Sequence, residues 1–183
     1  DPFIYRIAAD RTEGGWVVIA SILEKQIESD LPGTLFRCHE NMLAGDVWYC
    51  CDILAEGVAG NALVSMFNET LKLLKPWRID GDHWVRRAVG IGAHYWSKRS
   101  QGVEPQKAAK LLQFLKPMFE ERKMEAVKGI GWGLKTLGRF YPDLMSEWLS
   151  VQVLQEKRPH RKIILRKACT YLPDEQRALF ENV

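Results

Sequence analysis

Apolar residues recur along this chain at three- and four-residue intervals, the spacing that lines one face of an α-helix. Trp16, Ile19, Ile22, Leu23 and Ile27 show it first. They predict a helix over residues 14–29 behind Thr12, stopped by Asp30-Leu31-Pro32-Gly33. Further helices are expected over 34–43, then from Asp46, read as the cap of the segment that carries Trp48 and Asp52, and over 62–74. Asp82 is a good N-cap for 83–98. Glu104-Pro105 opens a helix to 119, and others follow over 124–140, 142–154 and 159–171, with a last one begun by Pro173-Asp174. Proline falls repeatedly at helix starts, where its missing N–H does no harm. No segment alternates at the strand period, so the expected class is all-α.

The pattern also repeats. Cys51, Gly90, Gly129 and Ala168 are separated by 39 residues three times running. Small residues at one register let neighbouring helices approach closely, and a helix pair of about 40 residues is the unit of HEAT- and armadillo-type stacking. The expected fold is a right-handed superhelical solenoid of HEAT-like repeats, a single domain over 1–183; the competing reading is an irregular bundle with coincident small residues. In this register Asp52 matches Ile91, Ile130 and Cys169, and Trp48 matches Arg87, Ala126 and Leu165. A carboxylate where the sister positions are apolar is locally disfavoured, because burying an unpaired charge is costly. Such a departure points to function, with Trp48 and Asp52 one helical turn apart on one face. The alternative is that Asp52 is a structural acceptor, satisfied by Arg87 or by a helix N-terminus.

Composition adds bounds. The chain is 46% hydrophobic and 27% charged, ordinary for a globular protein. No apolar run approaches the roughly 18 residues that cross a bilayer, and the stretch 16–23 belongs to an amphipathic helix rather than a signal sequence. The opening Asp1-Pro2 suggests numbering that starts inside a longer product or after a removed tag. Cys38, Cys50, Cys51 and Cys169 form no C-x-x-C pair, and His39, His83, His94 and His160 are scattered. A reduced, intracellular (cytoplasmic) protein without a structural metal is expected. The net charge of +3 hides an asymmetry: residues 1–57 hold four Lys/Arg against ten Asp/Glu, and the remainder 22 against 13. A polyanion would be met mainly by the C-terminal two-thirds.

Three ordered blocks then carry a resemblance: Trp48-x-x-x-Asp52-x-Leu54-Ala55, His83-Trp84-Val85-Arg86-Arg87-Ala88, and Lys128-Gly129-Ile130-Gly131-Trp132-Gly133-Leu134-Lys135. Together, over about 47–171, they resemble the AlkD-like DNA alkylation repair family. The resemblance implies HEAT-like repeats forming a curved, positively charged DNA-binding groove. It implies a DNA glycosylase that releases cationic N3- and N7-alkylated purines in base excision repair without extruding the base into a pocket. By the same resemblance Asp52 matches the catalytic carboxylate, Trp48 and Trp132 the aromatic residues that contact the lesion's deoxyribose, and Arg87 a residue that holds the DNA backbone. The residue types suit the chemistry. A carboxylate near C1′ stabilises an oxocarbenium ion and can orient water, and indole faces attract cations. The implied partner is double-stranded DNA with alkylated bases, bound by a monomer with no cofactor.

Several features depart from the family pattern. Val47 stands where a second Trp is frequent, Lys135 and Leu137 where Arg and Tyr are common, and Gly129 and Gly133 where alanines are usual. The segment before Trp48 is short, so one or two N-terminal repeats are expected to be missing. Arg86, Lys128, Lys135, Arg161, Lys162, Arg166 and Lys167 are candidate phosphate contacts, each otherwise a solvated helix face. Arg161-Lys162 lie at an expected helix start, where backbone N–H groups favour phosphate. Trp16, Trp77, Trp96 and Trp148 are expected in the core, and Trp84 between helices. A second reading is a non-catalytic DNA-structure-binding module. A third, a protein-binding scaffold, leaves the charge and the acid–tryptophan set unexplained.

Overall fold

The computed structural model of the chain describes residues 2–181, and every regular element among them is helical. Helix α1 (Pro2–Ala9) was not visible in the pattern, since it buries only Ile4. Helix α2 (Glu13–Glu24) is capped as expected, with the Gly15 N–H donating to the Thr12 hydroxyl at 3.0 Å, and it ends before the predicted limit. Asp30-Leu31-Pro32-Gly33 is a start rather than only a stop. Asp30 Oδ1 accepts from the Gly33 N–H at 3.0 Å, and Pro32 lies in the first turn of α3 (Leu31–Gly45). A carboxylate there satisfies an orphan donor at the helix N-terminus.

Asp46 also differs from expectation. It closes α3 in the left-handed conformation at φ 47°, and its Oδ1 accepts the Trp84 indole N–H at 2.9 Å. Helix α4 (Trp48–Leu54) therefore starts without a side-chain cap. It runs on through a π-helical turn (Ala55–Gly60) into α5 (Asn61–Ser65), and the chain breaks only at Met66, before α6 (Phe67–Leu74). Helix α7 (His83–Ser100) has the expected cap, with Asp82 Oδ1 accepting from Trp84 N at 2.7 Å and Val85 N at 3.3 Å. Then follow α8 (Pro105–Leu115), α9 (Met124–Phe140), α10 (Pro142–Leu149), α11 (Lys162–Ala168) and α12 (Asp174–Ala178). Helix α11 begins later than the Pro159 signal suggested, with Arg161 as its extended first cap residue.

Helices α2, α4–α5, α7, α9 and α11 stand side by side as one layer. They point the same way, because contacts advance together along each pair. Ala20 meets Gly57 and Glu24 meets Asn61; Cys51 reaches the Trp84 carbonyl and Gly60 meets Tyr95; Gly90 meets Gly129 and His94 meets Thr136. The 39-residue register is thus a packing register. Gly90 lies against the backbone of Gly129 and Ile130 so closely that a Cβ would overlap them. A Cβ on Gly129 would sit 2.6 Å from Arg87 Cγ, and one on Gly133 2.5 Å from the Gly90 carbonyl oxygen. These glycines cost helix stability, roughly 1 kcal/mol each, but only they permit the approach of α9 to α7. The all-α helical-repeat class holds. The stack reaches one helix further back than the small-residue repeat showed, since α2 has its own offset to α4–α5.

The core lies within this layer and between it and the flanking helices. Ile91 and Ile130 are fully buried and Cys169 is 6% exposed, so Asp52 is the polar exception in its register. Trp16, Trp77, Trp96 and Trp148 are buried as expected, and the four cysteines are free and buried. No helix among the described residues is long and apolar enough to cross a membrane.

Candidate active site

Asp52 sits on α4 facing α7, and Arg87 stands one turn before the position on α7 that matches it. The guanidinium closes on the carboxylate in a fork: Nε donates to Oδ1 at 2.7 Å and Nη2 to Oδ2 at 2.8 Å. Nη1 donates to the Glu125 carbonyl at 3.0 Å, in the first turn of α9. The pair is largely buried, with side-chain exposures of 10% for Arg87 and 15% for Asp52. Burial opposes the charge on Arg87, but the hydrogen bonds and charge of Asp52 outweigh it and hold the guanidinium above its ordinary range. Arg87 therefore ties three helices together. Three of its five N–H groups are engaged in these bonds. The alternative in which Asp52 is a structural acceptor satisfied by Arg87 matches this geometry. Even so, each carboxylate oxygen keeps lone-pair capacity.

Two indoles lie on the neighbouring helices: Trp48 on α4 with Asp52, and Trp132 on α9, three residues after the Gly129 that packs against Arg87. Trp48, one turn before Asp52, is 57% exposed, its ring edge-on to Tyr49 at 5.7 Å. Trp132 on α9 is half-buried and stacks on the His94 ring, with centroids 4.4 Å apart and an interplanar angle of 28°. His94 Nδ1 lies 2.7 Å from Thr136 Oγ1, and that hydroxyl donates to the Trp132 carbonyl at 3.2 Å. A threonine hydroxyl has one proton to give, so here it accepts from His94, which sets the tautomer with the proton on Nδ1. Burial pushes the His94 pKa down to about 4, Lys98 acting in the same direction and Asp52 against it. The imidazole is neutral at pH 7.

The basic candidates divide. Lys128 is exposed, and its carbonyl accepts from Lys167 Nζ at 3.2 Å. Lys135 Nζ lies 5.2 Å from the centroid of the Tyr171 ring, which Arg139 also approaches, at 5.4 Å. Burial lowers the Lys167 pKa, and Arg87, Lys135, Lys128 and Arg166 lower it further. Those four cations lie within electrostatic reach of Lys167, and Arg87 is the one among them paired with Asp52. Arg86 is placed differently. It pairs with Glu121 at 2.7 Å and donates to the Asp80 carbonyl at 2.6 Å and the Gly81 carbonyl at 3.2 Å, so it braces the loop before α7. Arg161 donates to the Arg122 carbonyl at 3.0 Å, and Lys162 lines a surface cavity with Arg166 and Arg177.

The sequence reading passed over His94, Thr136 and Glu56. Glu56 lies one turn beyond Asp52, half-buried; burial raises its pKa, Lys98 opposes and Asp52 adds to the rise. The signal for His94 was present: the 39-residue register matches it to Gly133, between Trp132 and Thr136. Among the described residues no group of three or more His, Cys, Asp or Glu could hold a metal ion. Comparison with known proteins places these helices in a family. The family model described as DNA alkylation repair enzyme matches residues 16–172, from within α2 through α11. No curated protein and no solved structure matches the chain.

Proposed function

The chain belongs to the DNA alkylation repair enzyme family, and from that premise we propose that it is a monofunctional DNA glycosylase acting on cationic N3- and N7-alkylated purines in duplex DNA. The observation that carries this reading is a fork-held carboxylate, Asp52, one turn from an open indole, with its partner Arg87 in electrostatic reach of Lys167, as are Lys128, Lys135 and Arg166. The leaving base is already positive, so no acid is needed to protonate it. The C1′–N9 bond breaks with its electron pair going to the base, which leaves neutral, and the sugar becomes an oxocarbenium ion. Asp52 stabilises that ion electrostatically, its direction set in advance by Arg87. Water then adds to C1′ and loses a proton, giving the abasic sugar. Trp48 and Trp132 offer their faces to the cationic sugar and lesion. Lys128, Lys135 and Lys167, with Arg87, hold phosphates on either side. The exposure of Trp48 suits a lesion met in the duplex rather than in a deep pocket. No metal or organic cofactor enters the reaction, and the 1–183 chain acts as one HEAT-like domain and a monomer.

One observation favours a second reading, a DNA-structure-binding module without catalysis. Both Asp52 oxygens accept from Arg87, which neutralises much of the field the carboxylate would project. Release of N7-methylguanine from duplex DNA separates the two. The glycosylase reading expects release by the native chain and a loss of about 100-fold in Asp52→Asn. Equal release by both proteins removes Asp52 from catalysis. No release by either, with salt-sensitive duplex binding retained, establishes the binding module instead.

A further inference from the structure

The glycine contact between α7 and α9 has a consequence one turn further along both helices. Gly133 rests against the Gly90 carbonyl oxygen and Ala93, so the helices are too close there for any larger side chain to separate them. That approach brings His94 and Trp132 face to face at 4.4 Å. Thr136, one turn after Trp132, then ties both ends of the contact by accepting from His94 and donating to the Trp132 carbonyl. His94 is 9% exposed and lies two turns from Arg87 on the same helix, within the electrostatic reach of Asp52.

We propose that His94 is a positioning residue: clamped by Thr136, its imidazole backs the inner face of Trp132 and fixes the plane of the indole. This rests on the glycosylase reading for its effect on rate, but not for the clamp itself. An indole ring turns broadly about its outer torsion unless something packs against it. Rate enhancement by positioning is lost steeply with misplacement, about 100-fold for 1 Å. The charge state matters as well. An imidazolium against the inner face would oppose a cation on the outer face, and burial together with Lys98 keeps that proton off. His94 thus supports the indole without competing for its π-face.

The test uses His94→Ala, His94→Phe and Thr136→Val, each with Trp132 present and in a Trp132→Phe background. Three quantities are read: single-turnover release of N7-methylguanine, duplex affinity, and acrylamide quenching of the Trp132 fluorescence, taken as the difference from Trp132→Phe. In His94→Ala, release slows by about tenfold while affinity stays within about twofold, and quenching of Trp132 rises. His94→Phe, which keeps a ring in the stack, recovers most of the rate. Thr136→Val falls between them. The His94→Ala effect on rate disappears in the Trp132→Phe background, as a double-mutant cycle requires of a residue that acts through another. An equal loss in both backgrounds overturns the proposal, as does an unchanged rate. If the native chain releases no base, the glycosylase reading fails on its own. The clamp is then judged by quenching, and unchanged Trp132 quenching in His94→Ala overturns it.

Discussion

Replacing Arg87 by Met tests how much the buried pair holds the layer together. Met keeps an apolar stem against Gly129, where the Arg87 Cγ now packs, and deletes only the guanidinium. Asp52, whose side chain is only 15% exposed in the intact pair, then loses both donors, and the Glu125 carbonyl loses the third. Removing one partner of a buried ion pair costs about 3–5 kcal/mol, mostly as the penalty of the charge left behind. The pair keeps some solvent, so the lower end, about 3 kcal/mol, is expected. For a domain of this size that is a fall in melting temperature of roughly 6–12 °C. Urea unfolding at pH 7 measures it directly, with an unchanged slope showing that the unfolded state is not the cause. The Arg87→Met/Asp52→Leu double variant should regain most of the loss, because Asp52 occupies a position that is isoleucine in two sister repeats and a well-packed apolar pair can replace a buried ionic one. A single-variant cost under about 1 kcal/mol would refute the reasoning, since that is the range of solvent-exposed pairs.

Other expectations follow from the same geometry. Gly90→Ala should destabilise by more than about 3 kcal/mol, because its Cβ would overlap backbone atoms of Gly129 and Ile130 that no rotamer change can move. Gly131→Ala, whose Cβ meets the flexible Lys167 side chain, should stay within about 1 kcal/mol, both read by urea unfolding. His94 carries a pH dependence: unfolded, it takes a proton near its ordinary value of 6.5, but folded only near 4. The unfolded state therefore binds more protons between those values, and stability falls as pH drops through that window by an amount on the order of 3 kcal/mol. The difference between the native chain and His94→Phe in urea midpoints at pH 7 and pH 4.5 should show it; a constant difference would count against it. Lys128→Ala, Lys135→Ala and Lys167→Ala should each reduce the salt slope of duplex binding by about one. Arg86→Ala should leave that slope unchanged and lower stability instead, because Glu121 is 11% exposed and loses its partner.

Local periodicity determined the elements. Turn-by-turn apolar spacing and the caps at Thr12 and Asp82 are short-range physics, so α2, α7 and α9 could be read from residues alone. The 39-residue spacing of small residues also determined the stacking order, because a helix that approaches its neighbour closely must present a small side chain at the contact. The same spacing marked Asp52 as the acid in an apolar register. Tertiary contacts settled what local signals did not. Asp46, read as the cap of the following helix, instead closes α3, and its carboxylate accepts from the Trp84 indole, 38 residues away in sequence. Only the tertiary structure separated Arg86 from Arg87, adjacent in sequence and alike in chemistry. The helical rotation between them sends one guanidinium to Glu121 and the loop, and the other to Asp52. It also set His94 under Trp132, for which the register gave a place but no distance. A repeat specifies which residues lie opposite one another; the interhelical spacing set by Gly90, Gly129 and Gly133 decides which of them touch.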